Sequence, residues 1–229
     1  MGSTKSGLYH YVEWLREQFQ VDFSSYPINT IELCGKIDSL NLQYHDFRTD
    51  GFCGAILLGS KSDTMILNSQ RSFEEQNFDC GHETVHMTKH RNKGIDSFSC
   101  MELKVKRDPS VSFYEWEANE GSAEFLVPYH ELLPRLKNEM SHLKEWNDIR
   151  FFKFQQAEHF KVSEAVINFR FESLKYETYQ YLNGASINSL KILSRSQQEA
   201  KKIQVQSLND FEDKLFQKEL KQWRINIQK

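Results

Sequence analysis

The sequence predicts an α+β fold, with a small, partly antiparallel sheet among helices and a helical C-terminal region after it. Two observations predict it. Apolar residues at helical spacing open the chain at Leu8, Val12, Leu15 and Phe19, and helical patterns return from residue 72 onward. Between them, "LQYHDFR", "CGAILLGS" and "TMILNS" are short runs with β-branched or aromatic residues.

The elements follow in order. "GLYHYVEWLREQF" reads as the first helix, and "NTIELCGKIDSL" as a second with Asn29 or Thr30 as its cap. The three β runs come next. "GSKSD" separates the last two as a hairpin turn. "SFEEQNFDCGHETVHMTKH" is a helix with Ser72 as N-cap and Glu75 three residues on, a capping box. Gly81 inside it costs about 1 kcal/mol relative to Ala, which calls for close packing there. The polar stretch after it holds one short strand at "CMELKVK".

"FYEWEANEGSAEFLVP" is the next helix, ending near Pro128, and "YHELLPRLKNEM" is short or kinked at Pro134. "QQAEHFKVSEAVINFRFESLKY" reads as two helices joined near Lys161 and Val162, with Ser163 capping the second. The tail carries Ile203, Leu208, Phe211, Leu215 and Trp223 at the spacing of one long amphipathic helix. Its nine basic and five acidic residues from 191 onward read as a solvated face. The expected organisation is a domain over 1–130, a helical module over 131–184 and an extension over 185–229.

Bulk properties narrow the class. A chain of 229 residues with 39% hydrophobic residues and 17 Phe can build a sizeable core. Net charge is −3, which gives no global sign of nucleic-acid binding. No apolar run approaches the ~20 residues of a membrane span. Cys34, Cys53, Cys80 and Cys100 are scattered, as expected of reduced thiols in a cytoplasmic protein. Cys80 is expected to be a small buried residue rather than a ligand. Met1-Gly2 with Ser6 matches the loose myristoylation pattern.

The chemistry gathers in "FDCGHETVHMTKH". His82 and His86 are four apart, so on a helix their imidazoles share a face and can grip one metal ion. Glu83 can reach a water on that ion. A catalytic zinc site takes three protein ligands and leaves a fourth position open. The helix at 113–126 offers Glu115, Glu117, Glu120 and Glu124. Glu115 and Asn119 share a face, so Glu115 can complete the set and Asn119 can accept from the second nitrogen of a ligating His. Glu117 is expected to point away, into solvent or a salt bridge. His90 would stand about 12 Å from His82 along the helix, too far to share its metal, and reads as a partner or packing residue at the helix end.

"GHETVH" joined to "EWEANEGSAEFLVP" resembles the ImmA/IrrE family of metallopeptidases. In that family HExxH is followed by E-x-E-A-N-x-F-A-x-x-L-L-x-P, and Glu115, Glu117, Ala118, Asn119, Leu126 and Pro128 match in place. "GFCGAILLGSKSDTMILN" and "AEHFKVSEAVINFRFESL" also resemble it, so the likeness covers roughly 28–176. Gly121 stands where the family usually has Phe, Ser122 replaces Ala, and Phe125 replaces Leu.

The resemblance implies a zincin-like domain over 1–130. It implies Zn2+ held by His82, His86 and Glu115, with Glu83 as general base and Asn119 supporting a ligand. Such a His₂Glu set would also accept Mn or Co. It further implies a narrow endopeptidase whose substrate is a transcriptional repressor of a mobile element or stress response. The edge of "TMILN" would bind substrate backbone by strand addition. A rival reading is a non-proteolytic, metal-containing regulatory module that binds a repressor or DNA. "FKVSEAVINFRFESL" resembles a helix-turn-helix whose second helix offers Asn168, Arg170 and Lys175. Glu164 and Glu172 would repel phosphate, so direct DNA binding is not favoured over a packed helical pair.

Overall fold

The computed structural model describes residues 4–22, 25–49, 51–104 and 112–227, with side chains to residue 222. The Met1-Gly2 pattern, the Val105-Lys106 end of the expected strand and the Trp223 side chain lie outside the described residues. Helix α1 (Lys5–Gln18) is capped by Thr4 and buries Leu8, Val12 and Leu15. Helix α2 is shorter than its sequence pattern, covering only Thr30–Cys34 with Asn29 as cap. The chain turns after Gly35 and enters strand β1 (Leu40–His45). Strands β2 (Phe52–Leu57) and β3 (Asp63–Asn68) form the expected antiparallel hairpin.

Helix α3 (Phe73–Lys89) starts at Ser72, where both halves of the capping box form. Strand β4 runs from Ser97 to Met101, starting three residues before the expected "CMELKVK" run. It pairs antiparallel with β2, and a bulge between Phe52 and Gly54 adds Cys53 to that strand. The sheet order is β1-β3-β2-β4, with β1 parallel to β3. The sheet is therefore mixed, and "TMILN" lies at its centre. That overturns the expectation that TMILN offers a free edge, because both sides of β3 are hydrogen-bonded. The edges are β1 and β4.

Helix α4 (Phe113–Leu126) crosses α3, followed by α5 (Tyr129–Glu139), with Pro134 inside it, α6 (Trp146–Phe160) and α7 (Glu164–Ser173). Lys161 takes the left-handed conformation at the α6–α7 joint. Helix α8 (Lys175–Leu182), a 3-10 turn (Ile187–Ser189) and α9 (Arg195–Ala200) lead to α10 (Leu208–Ile227). The tail is thus two helices rather than one. Lys202 has a positive φ, and Ser207 with Asp210 supplies a new helix start through two reciprocal backbone bonds. That local start signal outcompetes the continuous apolar spacing.

There are two apolar cores. The smaller packs Ile56, Met65, Leu67 and Phe98 of the sheet against Cys80 and Met87 of α3. The larger joins α1, α4, α5, α6 and α7 and extends to Leu208 of α10. Arg16 and Arg170 are buried there and donate to the Phe125 and Val127 carbonyls, fixing the C-terminal end of α4. Arg170 also pairs with Glu120 and Glu124, so it is not a surface residue for DNA. Among the described residues, no helix is long and apolar enough to cross a membrane.

Candidate metal centre

Helix α3 lies between the sheet and α4, and His82 and His86 reach Glu115 of α4 through their Nε2 atoms. His82 and His86 bring their Nε2 atoms within 3.0 Å of each other. Glu115, from the first turn of α4, places Oε2 3.2 Å from His82 Nε2 and Oε1 3.2 Å from His86 Nε2. Ser112 caps α4 by accepting from the Glu115 backbone N–H at 3.2 Å, which fixes where that turn begins.

The α3–α4 crossing is close because small residues line it. A Cβ on Gly81 would meet Ser122 Oγ at 2.5 Å, and one on Gly121 would meet Val85 Cγ2 at 3.1 Å. A Phe at 121 would not fit this approach. Gly121 therefore belongs to the same packing solution as Gly81.

The second nitrogens explain how the rings are held. His82 Nδ1 lies 2.9 Å from Asn119 Oδ1, which only accepts, so Nδ1 carries a proton and in the neutral ring Nε2 holds the lone pair. His86 Nδ1 lies 2.9 Å from His90 Nδ1. The His86 ring also stacks on Phe98 of β4, with centroids 4.1 Å apart and planes at 20°. His82 and His86 are buried, whereas the Glu115 side chain is 27% exposed, so the site opens beside Glu115.

This donor set fits a small divalent cation. In a tetrahedral site with bonds of ~2.0–2.1 Å, ligand atoms stand about 3.3 Å apart, close to the spacing seen here. Burial disfavours charge on both imidazoles and pushes His86 down to about 4. At His82, Glu115 and the Glu83 and Asp79 charges outweigh burial and raise the pKa. Burial resists the charge on Glu115, but the two imidazoles hold it down to about 2. The pocket thus favours positive charge between a carboxylate and two nitrogen lone pairs.

Glu83 is fully buried, and among the described residues its carboxylate oxygens meet no donor stronger than the nearby Cys100 thiol. Burial is the main cause that pushes it up to about 7. Cys100 Sγ and a ring nitrogen of His82 lie within 4.8 Å of it. A buried carboxylate so weakly satisfied calls for a partner from outside the chain, such as water or substrate.

Cys53, Asp79 and Cys100 form another compact group, but all are buried and Asp79 already pairs with Arg71 at 2.6 Å. Cys80 is buried, as expected from its type.

The structure brings His82, His86, Glu115 and Asn119 together and sets Glu83 beside them. Two expectations hold, with more burial than the sequence indicated. Glu117 forms salt bridges, to Lys89 at 3.4 Å and His90 at 3.1 Å, but it is buried rather than turned to solvent. His90 is fully buried and bonded to His86, so it belongs to the support of the site. Its spacing of four from His86 was the available signal. The Phe98 stack had no signal, because it depends on how β4 docks.

The sheet, the helix with His82 and His86, and the facing helix with Glu115 together build a site whose donor atoms suit a metal ion. The family described as the IrrE N-terminal-like domain, a peptidase family, matches residues 36–172, and the chain belongs to it. The match runs from just before β1 nearly to the end of α7, and the family implies a metal ion. A search of the curated proteins finds no match.

Proposed function

We propose that the protein is a zinc-dependent endopeptidase of narrow specificity, with His82, His86 and Glu115 holding Zn2+ and Glu83 as the general base. The observation that carries this reading is the convergence of the two Nε2 atoms and both Glu115 oxygens within 3.0–3.2 Å. When bound, zinc would polarise the scissile carbonyl and lower the pKa of the attacking water toward ~7. Glu83 takes the proton from that water at its carboxylate and passes it to the leaving amine. Asn119 keeps His82 in the tautomer whose Nε2 is free.

The edge that borders the site is β4. Phe98 and Cys100 face inward, and Ser97, Ser99 and Met101 are exposed. Among the described residues, β4 pairs only with β2, which leaves its other edge for an extended substrate segment. The family resemblance supports a protein substrate, a transcriptional repressor of a mobile element or stress response, and a cytoplasmic setting.

The test is metal content together with cleavage of a panel of repressors from the source cell. About one zinc per chain is expected, with cleavage by the wild type and none by Glu83→Gln. Cleavage at the wild-type rate by Glu83→Gln would refute the role of Glu83. Zinc and repressor binding without any cleavage would favour a non-proteolytic regulatory module.

A further inference from the structure

A bulge in β2 brings two cysteines together behind Glu83. Phe52 pairs with Met101 and Gly54 with Cys100, so Cys53 is the extra residue. Ile56 lies in the core between the sheet and α3. Counting back from it by twos, a regular strand would turn Cys53 to the outer face. The bulge turns it inward instead, where it is buried with Cys100 and Asp79. Both sulfurs and an Asp79 oxygen lie within 4.8 Å of one another. Arg71 already holds Asp79 at 2.6 Å, which leaves two thiols side by side. Cys100 meets Cys53 on one side and Glu83 on the other.

The placement suits a covalent bond between the sulfurs. Neighbouring strands run about 4.7–4.9 Å apart, and a disulfide joins Cα atoms ~4.4–6.8 Å apart. The thiols are already in hydrogen-bonding contact, so a turn of the side chains can close the gap without parting the strands. Among the described residues β4 is an edge strand held by β2 alone, and it opens locally at lower cost than a central strand. A water-sized oxidant can also follow the path by which water or substrate reaches Glu83.

We propose that Cys53 and Cys100 are a reversible oxidation site, a thiol pair that hydrogen peroxide closes to a disulfide beside Glu83. One thiol sulfur attacks a peroxide oxygen and the O–O bond breaks. A sulfenic acid forms, and the thiol proton leaves with the departing hydroxide as water. The second thiol sulfur attacks the sulfenic sulfur and the S–O bond breaks. The disulfide forms, and a second water leaves with the remaining thiol proton. Two thiols are oxidised and one peroxide is reduced.

The closed bond removes the thiol hydrogen from beside Glu83 and ties β4, the candidate substrate edge, to β2. Thiol reductants reopen it, as they do transient disulfides in a reducing compartment. The bond itself rests on the sheet geometry alone. Its effect on cleavage rests on the reading of Glu83 as general base.

The experiment treats the folded full chain with hydrogen peroxide, alkylates the remaining thiols and maps the digest by mass spectrometry. The peptides carrying Cys53 and Cys100 are expected to be joined, and to separate after dithiothreitol. Thiols that stay reduced until urea unfolds the chain, or linkage of another pair in place of this one, would overturn the proposal. In a second measurement, peroxide is expected to suppress repressor cleavage by the wild type, and dithiothreitol to restore it. Cys53→Ala should cut like the untreated wild type and keep its activity in peroxide. Equal loss of cleavage in that variant would sever the disulfide from the effect. Joined peptides in a chain that cuts no repressor would uphold the oxidation site and sink only the peptidase reading.

Discussion

Gly81 of α3 and Ser122 of α4 meet where the helices cross, so close that a Cβ on Gly81 would lie 2.5 Å from Ser122 Oγ. Ser122 in turn donates to the Phe78 carbonyl at 2.9 Å. The helix axes can approach here only because position 81 carries no side chain, and the approach brings Glu115 onto the two histidines.

Gly81→Ala should therefore destabilise the protein, although Ala is the better helix former by ~1 kcal/mol. Overpacking a buried contact typically costs ~1–3 kcal/mol, and here the serine must also surrender its bond to Phe78. Urea unfolding should show a net loss. Adding Ser122→Ala should recover most of it, because Ser122 Cβ would be 3.5 Å away, an ordinary contact. A double variant no more stable than Gly81→Ala alone would show that the crossing is not the cause.

Asn119→Ala removes the acceptor that holds His82 Nδ1–H. The donor set stays intact, so zinc should still bind at the same stoichiometry, with affinity lower by about 10–100-fold. Chelator competition measures this. His82→Ala and Glu115→Ala should instead lose the ion outright, and the contrast separates the ligands from their support.

Arg170 lies at the centre of a buried polar knot. It donates to Glu120 at 3.0 Å, to Tyr9 at 2.9 Å, to the Val127 carbonyl at 2.9 Å and to Glu124. Arg170→Met leaves buried Glu124 without its main cation and buried Glu120 with Lys5 alone, 3.9 Å away. The expected loss is about 3–5 kcal/mol in chemical denaturation. A loss within ~0.5 kcal/mol, the scale of an ordinary surface change, would show that the cluster relaxes around the gap.

His130, at the start of α5, supplies a pH-dependent term. Burial, then the nearby Arg16 and Arg170 charges, push its pKa down to about 4. The unfolded chain takes up this proton near 6.5 and the folded chain only near the lower value. Between those pH values the unfolded state binds more protons, so this contribution to stability is lost as pH falls from about 6.5 toward 4. Wild type should lose more stability than His130→Gln across that window in urea titrations at several pH values. Parallel profiles would refute the shift.

Much of the site was legible because its signals are local. The turn of a helix alone puts His82 and His86 on one face and lets Glu115 share a face with Asn119. Ser72 with Glu75 marked the start of α3, and Gly81 marked a close crossing before any partner was known. The β2–β3 hairpin was readable from its turn.

What stayed hidden depends on contacts between segments far apart in the chain. The parallel pairing of β1 with β3 puts "TMILN" in the middle of the sheet, and no pattern within that run distinguishes a central strand from an edge. The tail broke at Ser207 because a cap competed with an apolar spacing equally compatible with one helix. Glu117 was readable as a salt-bridging residue, but its burial follows from the docking angle of α4 on α3.

By itself the sequence determined which chemical groups are present and which of them share a helical face, since that geometry is set within a few residues. Only the tertiary structure decided that Glu115 closes on both imidazoles, that Phe98 stacks on His86, and that His90 and Glu117 stand behind it. Those contacts join α3, β4 and α4, and their distances follow from how side chains of every size fill the space between the elements.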